Sequence, residues 1–229
     1  MNIITIFKRE VYLYERRKII PILSMIIGII FAAVLLILFN ETLSEAYVKR
    51  ELNYIIILNV MKIMTLGIFA LVLIIGPIFV AGSLNQEKQN GHLDMIMTTN
   101  ISKGELVLAK ILHSTYSLIF IIISILPIFS LSFIFGGFSL VKYLYLSIIL
   151  ILTSFVVSTS GILISGLFND NLSGIFFHYL FCFLIGAWLF YQINSINFLF
   201  SNFLSIVIVE IFATVVLFLL TINLKIFKS

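Results

Sequence analysis

Four side chains in this 229-residue sequence sit where chemistry would be expected and water would not: Lys62, Glu210, Ser160 and His178. Each lies inside a long apolar run. A charge at the middle of a bilayer costs about 2.5–3.5 kcal/mol on insertion scales, so such residues have a partner or a wet cavity. Lys62 and Glu210 each fall about seven residues into an apolar run, a depth of roughly 10 Å at 1.5 Å per residue. Opposite sign and matching depth make them candidates for an intramembrane ion pair, within one chain or between two copies. In the alternative, Lys62 stretches its stem to the headgroups while Glu210 is protonated or hydrogen-bonded. Ser160 and His178 stand on consecutive runs, and a serine nucleophile needs a histidine within about 2.6–3.2 Å. Ser154, Ser158, Gly161 and Ser165 recur at spacings of three and four on one helical face. Such a small-residue stripe lets helices approach closely in lipid. No Gly-Lys dipeptide and no His-Glu-x-x-His occurs, and His92, His113 and His178 are scattered, so neither a phosphate-binding loop nor a zinc site is expected in this chain.

The elements that must position these residues are membrane spans. The chain is 62% hydrophobic and 10% charged, with a mean hydropathy of +1.22. Soluble domains carry about 25% charged residues, so a soluble globular fold is excluded. An apolar run of about 20 residues crosses a hydrocarbon core of about 30 Å. Six runs qualify, at about 19–39, 57–81, 106–127, 143–167, 173–191 and 203–224. The expected fold is an all-α membrane protein with six transmembrane helices in one domain over 1–229. Cys182 lies in the fifth run, so neither a disulfide nor a thiolate cluster is expected. Pro127 and the Gly136-Gly137 pair predict that the third helix bends or ends before a short turn, and 191–202 reads as a re-entrant hairpin or an interfacial loop.

The charges orient these spans. Ten of the fourteen basic residues fall before the first run, between the second run and the head of the third (Lys110 included), or after the sixth. Lys and Arg accumulate in cytoplasmic loops, so both termini are expected in the cytoplasm, and the basic pI reads as topology, not as a nucleic-acid patch. Residues 2–18 show Ile4, Phe7, Val11 and Tyr14 at helical spacing opposite Lys8, Arg9, Glu15 and Arg16, the pattern of an amphipathic helix on the membrane surface. The first run lacks a small-residue cleavage site and is read as a retained span.

Between the second and third spans lies a polar island, 84–104, in which Glu87, Lys88 and Gly91 precede the apolar cluster Leu93, Met95, Ile96 and Met97. Ser102-x-x-Glu105 has the spacing of a helix-capping box ahead of the third span. Here the chain resembles the membrane subunits of type-2 ABC exporters. Their corresponding loop reads Glu-Arg/Lys-x-x-Gly-Thr-Leu, an apolar cluster, Thr-Pro-x-Ser-Arg/Lys and then Gly-Lys. Glu87-Lys88, Gly91, Leu93, Thr99, Ser102-Lys103 and Lys110 match that pattern, while His92, Asn100 and Ala109 depart from it. The resemblance implies a multi-pass protein of the bacterial plasma membrane, paired with a second copy or a homologue. A cytoplasmic coupling helix between the second and third spans would dock on a separate ATPase subunit. Glu87, Gly91, Leu93, Met95, Ile96, Met97, Ser102 and Lys103 would form the coupling region. ATP and Mg would be bound by the partner and no cofactor by this chain. An apolar or amphipathic cargo, such as a peptide toxin or lipid-like molecule, fits a chain with so few charges. Two other classes remain open on the residues. A proton-coupled secondary transporter would use Glu210. Ser160-Gly161 also resembles the end of the Gly-x-Ser-Gly motif of rhomboid-type intramembrane serine proteases, with His178 as the base and Ser158 in place of the first glycine.

Overall fold

Helices that are apolar on every side belong in a membrane or a buried core, and the described residues include six of them. The computed structural model describes residues 7–8, 11–12, 19–49, 54–80, 102–130, 139–168, 170–193 and 202–223. Its long helices are α1 (Ile19–Lys49), α2 (Tyr54–Val80), α3 (Lys103–Ser130), α4 (Leu140–Leu167), α5 (Asn171–Ile193) and α6 (Phe203–Ile222). All six contain a stretch long and apolar enough to cross a membrane. Helix is the form that satisfies every backbone N–H and C=O within its own segment, which hydrocarbon demands.

The ends differ from the sequence reading where local chemistry extends them. α1 runs on to Lys49, well past the expected end near 39, because no Pro or Gly interrupts the chain from Glu41 to Lys49. Its membrane-length part is Pro21–Asn40. α3 does not stop at Pro127 but continues to Ser130. Carbonyls freed there find other donors: Ser130 Oγ donates to Pro127 O at 2.6 Å, and Tyr143 Oη donates to Leu126 O at 3.2 Å. Most of the 2–18 segment and the centre of 191–202 lie outside the described residues. Phe7–Lys8 and Val11–Tyr12 are helical, and the Phe7 ring meets that of Tyr116 edge-on, centroids 6.1 Å apart.

α4 is the central helix: 67% of its span is buried, against 11% for α6. It packs on α2, α3, α5 and α6, while α6 rests mainly on α4. Fully buried Met64, Ile68, Leu118, Ile122, Leu146 and Ile149 fill the α2–α3–α4 core. Two glycine contacts set the register. Gly76 packs against Val157 and Leu118, and one turn further on Gly161 packs against Val80 and His178. α2 and α4 therefore run in the same direction. Gly104, at the start of α3, lies near Ile222 at the end of α6. At the opposite end the Tyr145 and Phe203 rings stack 4.1 Å apart, joining α4 to α6. The loop between α2 and α3 thus joins the same end of the bundle as the close of α4 and of α6.

Candidate functional site

Three polar constellations lie inside or at the end of this bundle. In the first, α4 and α5 bring Ser160 and His178 together, with Ser160 Oγ 3.2 Å from His178 Nε2. Both are buried, at 1% and 0% exposure. Distance alone would suit a nucleophile and its base. The proton inventory does not. Ser160 Oγ donates to Val157 O at 2.9 Å, and His178 Nε2 lies 3.1 Å from the same carbonyl. A carbonyl only accepts, so in the tautomer that bonds Val157 O the hydrogen is on Nε2, directed at Val157 O and Ser160 Oγ. In that tautomer Nε2 has no lone pair for the serine proton. There His178 clasps α5 to the backbone of α4, next to Gly161. Ser160→Ala is accordingly expected to lower stability by no more than about 1 kcal/mol, the net worth of a typical hydrogen bond. Thermal unfolding in detergent would measure it, and a loss of any peptide-cleaving activity on this substitution would contradict the clasp.

The stripe on α4 is wholly inside. Ser154, Ser158 and Ser165 are at 0% exposure and Gly161 is buried. Ser154 Oγ donates back to Ile151 O at 2.6 Å, while the hydroxyls of Ser158 and Ser165 have no hydrogen-bond partner among the described residues.

The second constellation is Glu210, 3% exposed on α6, whose Oε1 lies 2.6 Å from Thr153 Oγ1 on α4. Its Oε2 has no hydrogen-bond partner among the described residues. Thr153 was not singled out in the sequence; it is one hydroxyl among many on α4, and nothing local marks it. The equal depth read for Lys62 and Glu210 is corrected by the packing. Gly76 touches Val157, which places Val72 level with Thr153 and leaves Lys62 ten residues further along α2, roughly 15 Å away along the axis. The 27-residue α2 overhangs the 20-residue α6 at that end, so counting inward from each helix start misaligned them. Within one chain the partner of Glu210 is Thr153, and only a contact between two copies remains for the ion pair.

The third constellation opens α3. Ser102 N donates to Glu105 Oε2 at 2.9 Å, Ser102 Oγ donates to the same oxygen at 2.9 Å, and Glu105 N donates to Ser102 Oγ at 3.3 Å. The capping box expected from the spacing is formed, and Lys103 is the first helical residue. Glu87, Gly91, Leu93, Met95, Ile96 and Met97 lie outside the described residues. Among the described residues no cluster of three metal-ligating side chains occurs. An apolar groove of about 820 Å³ runs between α2 and α5, lined by Leu73, Ile74, Phe176, Phe183, Gly186 and Phe190 among others. Tyr179 Oη crosses from α5 to donate to Ile74 O at 3.0 Å.

Six apolar, membrane-length helices define a multi-pass α-helical membrane protein. Comparison with protein-family models, with characterised proteins and with solved structures finds no match, so any narrower function rests on this chain's own residues.

Proposed function

We propose that this chain is the membrane-spanning subunit of a type-2 ABC exporter, working as a homodimer or with a homologous subunit in the bacterial plasma membrane. The observation that carries the reading is the capped start of α3 directly after the 87–101 segment. The box fixes where the segment ends and the helix begins, and α3 packs on α1, α2 and α4. A push on the segment is thereby delivered to the centre of the bundle. Closure of a partner ATPase on ATP and Mg would supply that push, and the helices would switch between two packings. The cargo class is apolar or amphipathic; the almost wholly hydrocarbon lining of the α2–α5 groove supports it. Both termini would face the cytoplasm. The protease reading is weakened by Val157 O, which lies within hydrogen-bond distance of both Ser160 Oγ and His178 Nε2 and competes for the hydrogen between them.

Purification of the tagged chain from native membranes in mild detergent tests the proposal. The expected result is a stoichiometric partner with ATPase activity. A chain that purifies alone and still moves cargo in proteoliposomes without ATP would overturn it.

A further inference from the structure

We propose that Glu210 and Thr153 form a proton-binding site inside the membrane, in which the carboxyl is the donor and not the acceptor. The argument is an inventory of hydrogens. Thr153 Oγ1 lies 2.9 Å from Ile149 O, the carbonyl one turn back on its own helix, and 2.6 Å from Glu210 Oε1. A hydroxyl has one hydrogen, and a backbone carbonyl can only accept. The hydrogen can serve only one of the two acceptors; beside a neutral acid it stays on Ile149 O, and the short contact to Glu210 then takes its hydrogen from the carboxyl. The chain of donation then runs from Glu210 to Thr153 to Ile149 O. Oε2 becomes the carbonyl oxygen of a neutral acid, which hydrocarbon tolerates; as half of an anion it would be a buried charge without a donor.

The surroundings agree. Among the described residues α6 packs chiefly on α4 and, to a lesser extent, on α3. Their titratable groups are Lys142, Tyr143 and Tyr145 on α4, and Lys103, Glu105, Lys110, His113 and Tyr116 on α3. Counting from Thr153, and from Leu118 at the level of Val157, each stands roughly 9 Å or more along the axis from Glu210. No fixed cation among them is level with the carboxyl. Ionisation would therefore require α6 to carry Glu210 toward water or toward a mobile cation, which links proton occupancy to how α6 sits on α4. This site does not depend on the exporter reading.

The test uses the full-length protein in lipid vesicles. An infrared difference spectrum, wild type minus Glu210→Gln, is expected to show the C=O stretch of a protonated carboxylic acid, and Thr153→Val is expected to shift that band. Dicyclohexylcarbodiimide, which is lipid-soluble, reports the same proton chemically. The acid proton passes to a carbodiimide nitrogen while the carboxyl oxygen adds to the central carbon, and the O-acylisourea rearranges to a stable N-acylurea. Mass spectrometry should find this adduct on Glu210 and none in Glu210→Gln. Labelling should fall about tenfold per pH unit above the point where the carboxyl releases its proton. Should Glu210→Gln not fold, the Thr153→Val shift and the pH dependence of wild-type labelling still decide. No acid band and no adduct would overturn the proposal. Protection by sodium at constant pH would also overturn it, identifying a metal-cation site in place of a proton site.

Discussion

Gly161→Leu collapses the packing of the bundle at the end where α2 and α4 close. A Cβ at this position would lie 2.5 Å from His178 Cε1, 2.5 Å from Val80 Cγ1 and 2.9 Å from His178 Nδ1. Both neighbours are held: Val80 is fully buried, and the His178 ring is clasped to Val157 O. Neither can swing away as the end of an exposed chain would. Overpacking in a core typically costs about 1–3 kcal/mol, and a leucine wedged between three helices is expected at or above the top of that range. Thermal unfolding followed by size-exclusion chromatography in detergent should show a large fall in midpoint or complete loss of the monodisperse peak. Gly161→Ala should fall less, and adding His178→Ala to it should recover part of the loss, since the two residues share one space. A wild-type midpoint for Gly161→Leu would mean that α2, α4 and α5 do not meet here.

The second large effect is expected in the 87–99 segment and rests on the proposed function. If Leu93 and Met97 dock on an ATPase, each buries a side chain worth about 1.5–3 kcal/mol. Leu93→Asp or Met97→Asp removes that contact and offers a charge in its place. Every 1.4 kcal/mol is tenfold in affinity, so retention of the ATPase partner should drop by about 10- to 100-fold. On this reading both residues serve the partner contact, so the helical bundle should keep its unfolding midpoint. Measured partner stoichiometry after detergent washing decides the matter. An unchanged complex with both aspartates present would place the docking surface elsewhere. A bundle that unfolds would show instead that the segment is structural.

Much of the architecture was legible because hydrocarbon leaves a chain few choices. Six apolar runs predicted six helices, and their centres fell where expected. The Ser102–Glu105 spacing predicted a capping box that the structure forms. Ends were less legible. Nothing in the hydropathy of Glu41–Lys49 says that the helix continues, since backbone hydrogen bonding depends on the absence of a breaker and not on polarity. Pro127 was expected to bend or end α3 before a short turn; the helix runs on to Ser130, where a serine and a tyrosine side chain supply donors to its last carbonyls.

The site was legible as residue types and not as partners. The sequence alone marked Glu210 and His178 as polar groups that cannot sit bare in hydrocarbon, because that follows from solvation free energy and needs no coordinates. It also established that the chain spans the membrane. What Glu210 and His178 bond to was decided by tertiary structure. Equal counts from two helix ends suggested Lys62 for Glu210, yet α2 and α6 begin at different heights, and packing delivered Thr153 instead. Ser160 and His178 do meet, but the direction of that hydrogen bond depends on a third group, Val157 O, which carries no side-chain signal. Hydrogen-bond direction depends on every donor and acceptor within about 3 Å. Only the relative height and rotation of the helices determine that set.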